Sequence, residues 1–312
     1  MSLFNNKTKN KPELGFGTKN YNKSIRFINN DGTVNVKRRG LGWLKNTDLY
    51  HWLINVRLSK LILVIILGYT LVNFIFATIY YLIGVDGFGG IDYKEGINGY
   101  FSLFFFSAQT LTTLGYGHMY PISNAASTVA AFESLLGLMS FALATGILFG
   151  RFSRPKADLL YSKNILISPY EGITGLMFRI TNKMQYELIE CEAMISISYN
   201  DPETKKREFD QLKLEVSRVS FLALSWTIVH PIDDNSPIKN WTLKDIQDRD
   251  TEFMILIKAI NDTFSQTVYS RYSYKADDLV ENAKFKRLQQ DADKNGKITI
   301  SVTDIHIFDR IN

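Results

Sequence analysis

Cysteine is nearly absent from this chain. Cys191 stands alone among 312 residues, so no disulfide can form within it. A lone thiol fits a reducing compartment and a role as a small buried apolar residue. Clustered metal ligands are missing too. His51, His118, His230 and His306 are scattered, and no pair has the spacing of a metal site. The C-terminal half has no glycine fingerprint of the dinucleotide-binding kind. Gly15-Phe16-Gly17 lacks the flanking strand and helix of a phosphate loop. Ser225, His230 and Asp233 are the residue types of a hydrolase set, but no G-x-S-x-G elbow presents the serine. The expectation is a protein that is not an enzyme, has no organic cofactor and has no nucleic-acid partner. Residues 1–46 are polar and basic, unlike a cleavable signal peptide.

The most informative absence is local absence of charge. The whole chain carries a net charge of +5 and has a mean hydropathy of −0.07, so its apolar residues must be concentrated. Leu61 to Val85 contains no charged residue, and Ala125 to Phe152 contains only Glu133 and Arg151. Each stretch is long enough to cross a bilayer. Lys37, Arg38, Arg39, Arg57 and Lys60 precede the first span, and Arg151, Arg154 and Lys156 close the second. The connecting loop is mildly acidic, with Asp86, Asp92 and Glu95 against Lys94. The positive-inside bias puts both termini in the cytoplasm of a plasma (inner) membrane protein. Before the first span, Thr47 to Lys60 reads as an amphipathic helix with Leu49, Trp52, Leu53 and Val56 on one face. Thr47 or Asp48 caps it, and it is expected to lie in the headgroup plane.

Between the spans lies FSLFFFSAQTLTTLGYGHMYP, Phe101 to Pro121. Its first half predicts a short apolar helix whose partially negative end favours a cation. Its second half, Thr112-Thr113-Leu114-Gly115-Tyr116-Gly117, suits a backbone that points successive carbonyls one way. That requires φ angles which side chains resist and glycine tolerates at alternate positions. Thr113 adds a hydroxyl oxygen at the inner end. Four such strands around an axis replace the hydration shell of K⁺ with protein oxygens. Irregular backbone at membrane depth is tolerated only where it lines a cavity or is buried in protein. His118 follows at the outer mouth and is the candidate pH-sensing residue.

From about Ala157 the pattern alternates with period 2, at residues 176–180, 193–198, 253–257 and 297–300. Turn residues separate these stretches, which predicts an antiparallel sandwich. Trp241 to Arg249 reads as a helical turn within it. Asp291 to Ile298 resembles the start of a calcium loop. Val302 occupies the place of the bidentate acid, so a hairpin with an Asn295-Gly296 turn is preferred. The chain therefore divides into residues 1–46, a partly disordered N-terminal cytoplasmic segment, much of it disordered before about residue 30, with a turn at Asn30–Thr33; 47–60, an interfacial helix; 61–155, a pore domain; and 156–312, a β-sandwich.

Five landmarks in order resemble the prokaryotic inward-rectifier potassium channels. They are NNDGTVNV, DLYHWL, TTLGYG, ATGILFGRFSRPKA and LSWTIVHPIDDNSPI. The resemblance implies a homotetramer with two spans per subunit and a cytoplasmic immunoglobulin-like β-domain that extends the pore. It implies K⁺ coordination by Thr113, Leu114, Gly115 and Tyr116, with Gly117 shaping the outer mouth. Phe141, Thr145 and Phe149 line the cavity, and Phe149 forms the gate. Gly137 and Gly146 are the bending points. Arg57, Lys60, Arg151, Arg154 and Lys156 meet anionic lipid headgroups, so lipid is the expected modulator. Leu114 stands where the family usually has Val or Ile, and Gln109 replaces an acid behind the filter. Phe141 occupies a position where strong rectifiers place an acid for polyamines, so the family name need not describe rectification here. The animal channels' extracellular cysteine pair is absent, which fits a bacterial source. Glu133, the one acid within a span, is expected to find a partner on the pore helix. The rival readings are a weakly selective cation channel and a membrane-anchored β-sandwich binding module with a vestigial pore.

Overall fold

The computed structural model describes residues 25–37, 49–91, 96–155, 157–184, 186–288, 290–292, 296 and 298–311. The chain divides into two compact units: Gly40–Arg154, and Pro155–Asn312 together with Met1–Arg39.

Among its described residues the first unit holds α1 (Leu49–Asn55), α2 (Leu58–Ile83), α3 (Gly96–Leu111) and α4 (Asn124–Phe152). Both α2 and α4 are long and apolar enough to cross a membrane. The single helix expected over 47–60 is corrected. Helix α1 stops at Asn55, and Arg57 leaves helical geometry with φ −55° and ψ 140°. The Arg57 carbonyl then accepts the amides of Lys60 (2.9 Å) and Leu61 (3.0 Å), which starts α2. Lys60 therefore belongs to the first turn of the first span. Thr47 and Asp48 lie outside the described residues. Among the described side chains of α1, Ile54 is buried, whereas Trp52 is 46% exposed. Two short strands, β1 (Phe88–Gly89) and β2 (Tyr120–Pro121), pair antiparallel and bring together the two ends of the segment that contains α3. Ser123 caps α4 by accepting the Ala126 amide.

The second unit is a sandwich, as expected. Its strands are β3 (Leu159–Tyr161), β4 (Ile165–Tyr170), β5 (Ile173–Asn182), β6 (Leu188–Asn200), β7 (Arg207–Leu212), β8 (Arg218–Phe221), β9 (Ser225–Ile232), β10 (Glu252–Asn261), β11 (Gln266–Lys275) and β12 (Leu279–Glu281). One sheet runs β11-β10-β6-β7 with β8 also on β6; the other runs β12-β4-β5-β3 with β9 also on β5. Pairing is antiparallel except for β12 on β4. Alternate residues meet between the sheets: Leu176, Phe178 and Ile180 of β5, Ile195 and Ile197 of β6, and Phe253, Ile255 and Ile257 of β10. This is the period-2 pattern read as one buried face. The expected helical turn is α5 (Leu243–Asp248), with a capping box between Thr242 and Asp245. Cys191 is buried, which pushes its thiol up to about 11. The hairpin near the C-terminus pairs Gln290 with Ile300 and Ala292 with Ile298. Gly296 has φ +78°, and Asn295, the other residue of the expected turn, lies outside the described residues.

The described part of the N-terminal segment packs against the second unit. Residues 25–30 dock on the sandwich. Phe27 and Ile28 are buried with Phe209 and Met254. The amides of Phe27 (2.8 Å) and Ile28 (3.1 Å) donate to the carboxylate of Glu252, itself fully buried. A buried carboxylate needs donors, and backbone N–H groups leave no hydrophilic side chain in their composition. The turn at Asn30–Thr33 is present, with Gly32 at φ +79° and the Thr33 amide on the Asp31 carboxylate.

His230 is bonded to the Lys213 carbonyl (2.6 Å) and Ser236 Oγ (2.8 Å), so it forms no hydrolase set with Ser225. Burial holds its imidazole below the ordinary histidine range. The unfolded chain therefore binds this proton more readily, and stability falls as pH drops through the unfolded value of about 6.5. The thermal midpoint of the full chain should fall between pH values of about 7.5 and 5.5. The fall should be smaller in His230→Gln. Equal pH slopes in the two proteins would remove His230 from this account.

Candidate ion-conduction site

The stretch after α3 has the alternation its glycines suggest. Gly115 has φ +52° and Gly117 φ +78°, and Thr113 extends the pattern at φ +59°. A Cβ at either glycine would meet nothing within 4 Å. Glycine is required there by φ, not by space. The amides turn back on the last turn of α3: Thr113 donates to the Thr110 carbonyl (3.0 Å), and Leu114 (2.9 Å) and Gly115 (3.4 Å) to the Gln109 carbonyl. Gln109 thus acts through its backbone, whatever its side chain. Among the described residues, the carbonyls of Thr113, Leu114, Gly115 and Tyr116 accept no hydrogen bond. The result is a row of neutral oxygens suited to a monovalent cation without tight hydration.

Two contacts seat α3 on α4. Glu133 is fully buried; Tyr80 donates to its Oε2 (2.5 Å), and Ser107 Oγ lies 2.5 Å from its Oε1. Ser107 Oγ is also 2.9 Å from Asn73 Oδ1. The expected partner on the pore helix is therefore Ser107. Tyr80 and Asn73 escaped the sequence reading, although Asn73 is a buried carboxamide in an apolar span, which was the available signal. One turn along α4, a Cβ on Gly137 would lie 1.9 Å from the Leu111 carbonyl oxygen. Glycine lets the last turn of α3 touch α4 there. Helix α4 is continuous through Gly137 and Gly146, and a Cβ on Gly146 would meet nothing within 4 Å. Around this seat pack Phe76, Tyr80, Phe88, Leu103, Phe106 and Ala126.

After this stretch, His118 is exposed, and its carbonyl oxygen would be 1.8 Å from a Cβ on Gly90, at φ +79°. Asp92, Lys94 and Glu95 lie outside the described residues. At the other end, Phe141, Thr145 and Phe149 are exposed along one face of α4. Arg57, Lys60 and Arg154 are exposed, and Lys156 lies outside the described residues. Arg151 is engaged within the unit: Nη1 donates to the carbonyls of Ile54 (3.1 Å) and Val56, at the C-terminal end of α1. A cation favours that end of a helix, so Arg151 joins α1 to the end of the second span.

Residues 159–312 match the family described as inward rectifier potassium channel C-terminal domain, and residues 64–154 the family described as ion channel. The inward rectifier potassium channel Kirbac3.1 of Paramagnetospirillum magnetotacticum is 34% identical over 268 residues, covering 83% of this chain and 88% of the relative. The G protein-activated inward rectifier potassium channels 1 of Bos taurus and Homo sapiens are each 26% identical over 288 residues. That alignment covers 84% of this chain but 57% of either mammalian protein, so the chain spans just over half their length. The relatives are channels and not enzymes. With two membrane-crossing helices, a filter-like backbone between them and a β-sandwich after them, the chain belongs to the inward rectifier potassium channel family.

Proposed function

We propose that the chain is the subunit of a homotetrameric, K⁺-selective channel with both termini in the cytoplasm. The observation that carries this is the run of positive φ at Thr113, Gly115 and Gly117, with amides turned back on α3 and carbonyls left over. Thr113, Leu114, Gly115 and Tyr116 coordinate K⁺, and Gly117 shapes the mouth. Tetramer symmetry covers side chains that a single chain leaves open, such as Leu114 (55% exposed) and Tyr116 (73%). Phe141 and Thr145 line the cavity. Phe149, 72% exposed, is the gate, because a narrow apolar ring excludes a hydrated ion by dewetting. Gly146, where a Cβ would meet nothing within 4 Å, is the bending point. Gly137 has a packing reason to be glycine and is the weaker hinge. Anionic headgroups bound at Arg57, Lys60, Arg154 and Lys156 modulate opening, at roughly 1 kcal/mol per basic residue. Arg151 passes movement of α1 to the gate. His118 is the pH-sensing residue. Phe141 offers polyamines no carboxylate, so strong rectification is not expected.

The test is K⁺ and Na⁺ flux from liposomes of varied anionic lipid content. Wild type should pass K⁺ over Na⁺. Phe149→Ala should raise resting K⁺ flux severalfold with selectivity intact, and neutralising Arg57 and Arg154 should blunt the lipid response. Equal passage of K⁺ and Na⁺ would favour a weakly selective channel. An assembled protein passing neither ion would favour a membrane-anchored binding module.

A further inference from the structure

The network around Glu133 has a proton count. Asn73 Nδ2 donates to the Tyr69 carbonyl at 2.8 Å, which can only accept. This fixes the amide, so Asn73 Oδ1 is the atom facing Ser107. A carbonyl oxygen has no proton to give. Ser107 Oγ thus lies between two oxygens, Asn73 Oδ1 at 2.9 Å and Glu133 Oε1 at 2.5 Å. The serine hydroxyl brings one proton. It can serve one of them, and the other pair would be two acceptors in contact. Tyr80 does not relieve this, because its hydroxyl is spent on Glu133 Oε2. Among the described residues, no Lys, Arg or His forms an ion pair with Glu133.

The count closes if Glu133 brings its own proton. Glu133 Oε1 then donates to Ser107 Oγ, Ser107 donates to Asn73 Oδ1, and Tyr80 donates to Glu133 Oε2. Every member is satisfied and the network is neutral, which suits a fully buried site at membrane depth. The donor faces the helix whose last turn carries the filter. Ser107 sits one turn before Leu111, the residue seated against Gly137.

We propose that Glu133 is a protonated carboxylic acid whose hydrogen bond to Ser107 sets the position of the pore helix, making it a positioning residue for K⁺ selectivity. The selectivity half of this rests on the filter reading above.

Glutamine has the shape of the protonated acid: its amide nitrogen can donate to Ser107 and its oxygen accept from Tyr80. Leucine has similar bulk and no donor. The full-length protein, assembled in liposomes, is compared as wild type, Glu133→Gln, Glu133→Leu and Ser107→Ala. Glu133→Gln should hold the K⁺ over Na⁺ flux ratio within about twofold. Glu133→Leu and Ser107→Ala should lower it by about tenfold, the ratio that loss of one buried hydrogen bond carries. Infrared spectra should show the carbonyl stretch of a protonated carboxylic acid in wild type, absent from Glu133→Gln. Ser107→Ala only deletes a hydroxyl, so it serves if Glu133→Leu fails to assemble. The proposal is overturned if wild type lacks that band, if Glu133→Gln falls as far as Glu133→Leu, or if Ser107→Ala keeps full selectivity. Wild type that passes K⁺ and Na⁺ alike overturns the filter reading and the selectivity role with it, while the infrared band decides the proton alone.

Discussion

Gly115→Ala is expected to abolish K⁺ flux while leaving an assembled tetramer. The argument rests on φ alone. Gly115 has φ +52°, and the space where a Cβ would go is empty to 4 Å. The added methyl meets no neighbour, but it places a side chain in the left-handed region. That costs roughly 1–2 kcal/mol at one position, and symmetry repeats it in every subunit. Thr113 shows that a side chain is tolerated at φ +59°, but its amide is anchored at 3.0 Å to Thr110. The Gly115 amide holds Gln109 at only 3.4 Å, so its peptide unit has less to keep it in place. The strained peptide relaxes by turning, and the turn takes a carbonyl out of the row that faces the ion. Loss of conduction with normal assembly is the expected result, read as K⁺ flux from liposomes. Wild-type flux in Gly115→Ala would sink the filter assignment.

Much of this architecture is legible in the sequence because its signals are local. A charge-free run of membrane length needs no tertiary context, nor does period-2 alternation at residues 253–257. The positive φ at Gly115 and Gly117 was legible because it is a backbone demand that glycine advertises. Thr113 carries the same φ without advertising it, since the geometry comes from hydrogen bonds to the preceding helix turn. What stayed hidden depends on partners distant in sequence. Glu252 looks like an ordinary strand glutamate until the amides of Phe27 and Ile28 reach it. Arg151 reads as a positive-inside marker until the end of α1 arrives at its guanidinium. The break at Arg57 was hidden because no proline or glycine marks it.

Gly137→Ala separates two readings of one glycine. A hinge glycine is there so that the helix can bend; replacing it with alanine should stiffen α4 and change gating while selectivity stays intact. A seat glycine is there so that another backbone can approach. In the structure, a Cβ at Gly137 would lie 1.9 Å from the Leu111 carbonyl oxygen, 2.8 Å from its carbon and 3.1 Å from its Cα. These are backbone atoms, so no side-chain rotation relieves the overlap. Helix α3 has to move, yet one turn earlier Ser107 is held to Glu133 at 2.5 Å. The helix end must tilt, and Thr113 to Gly117 follow directly from it. Overpacking of this kind costs about 1–3 kcal/mol per site, repeated in each subunit. The expected result is a lower thermal midpoint of the assembled protein together with loss of K⁺ over Na⁺ selectivity in liposome flux. Gly146→Ala is the matched control. Its Cβ would meet nothing within 4 Å, and alanine favours a helix over glycine by about 1 kcal/mol, so selectivity should hold and only opening should change. If Gly137→Ala keeps wild-type selectivity and changes gating as Gly146→Ala does, the glycine is a hinge and the seat does not set the filter.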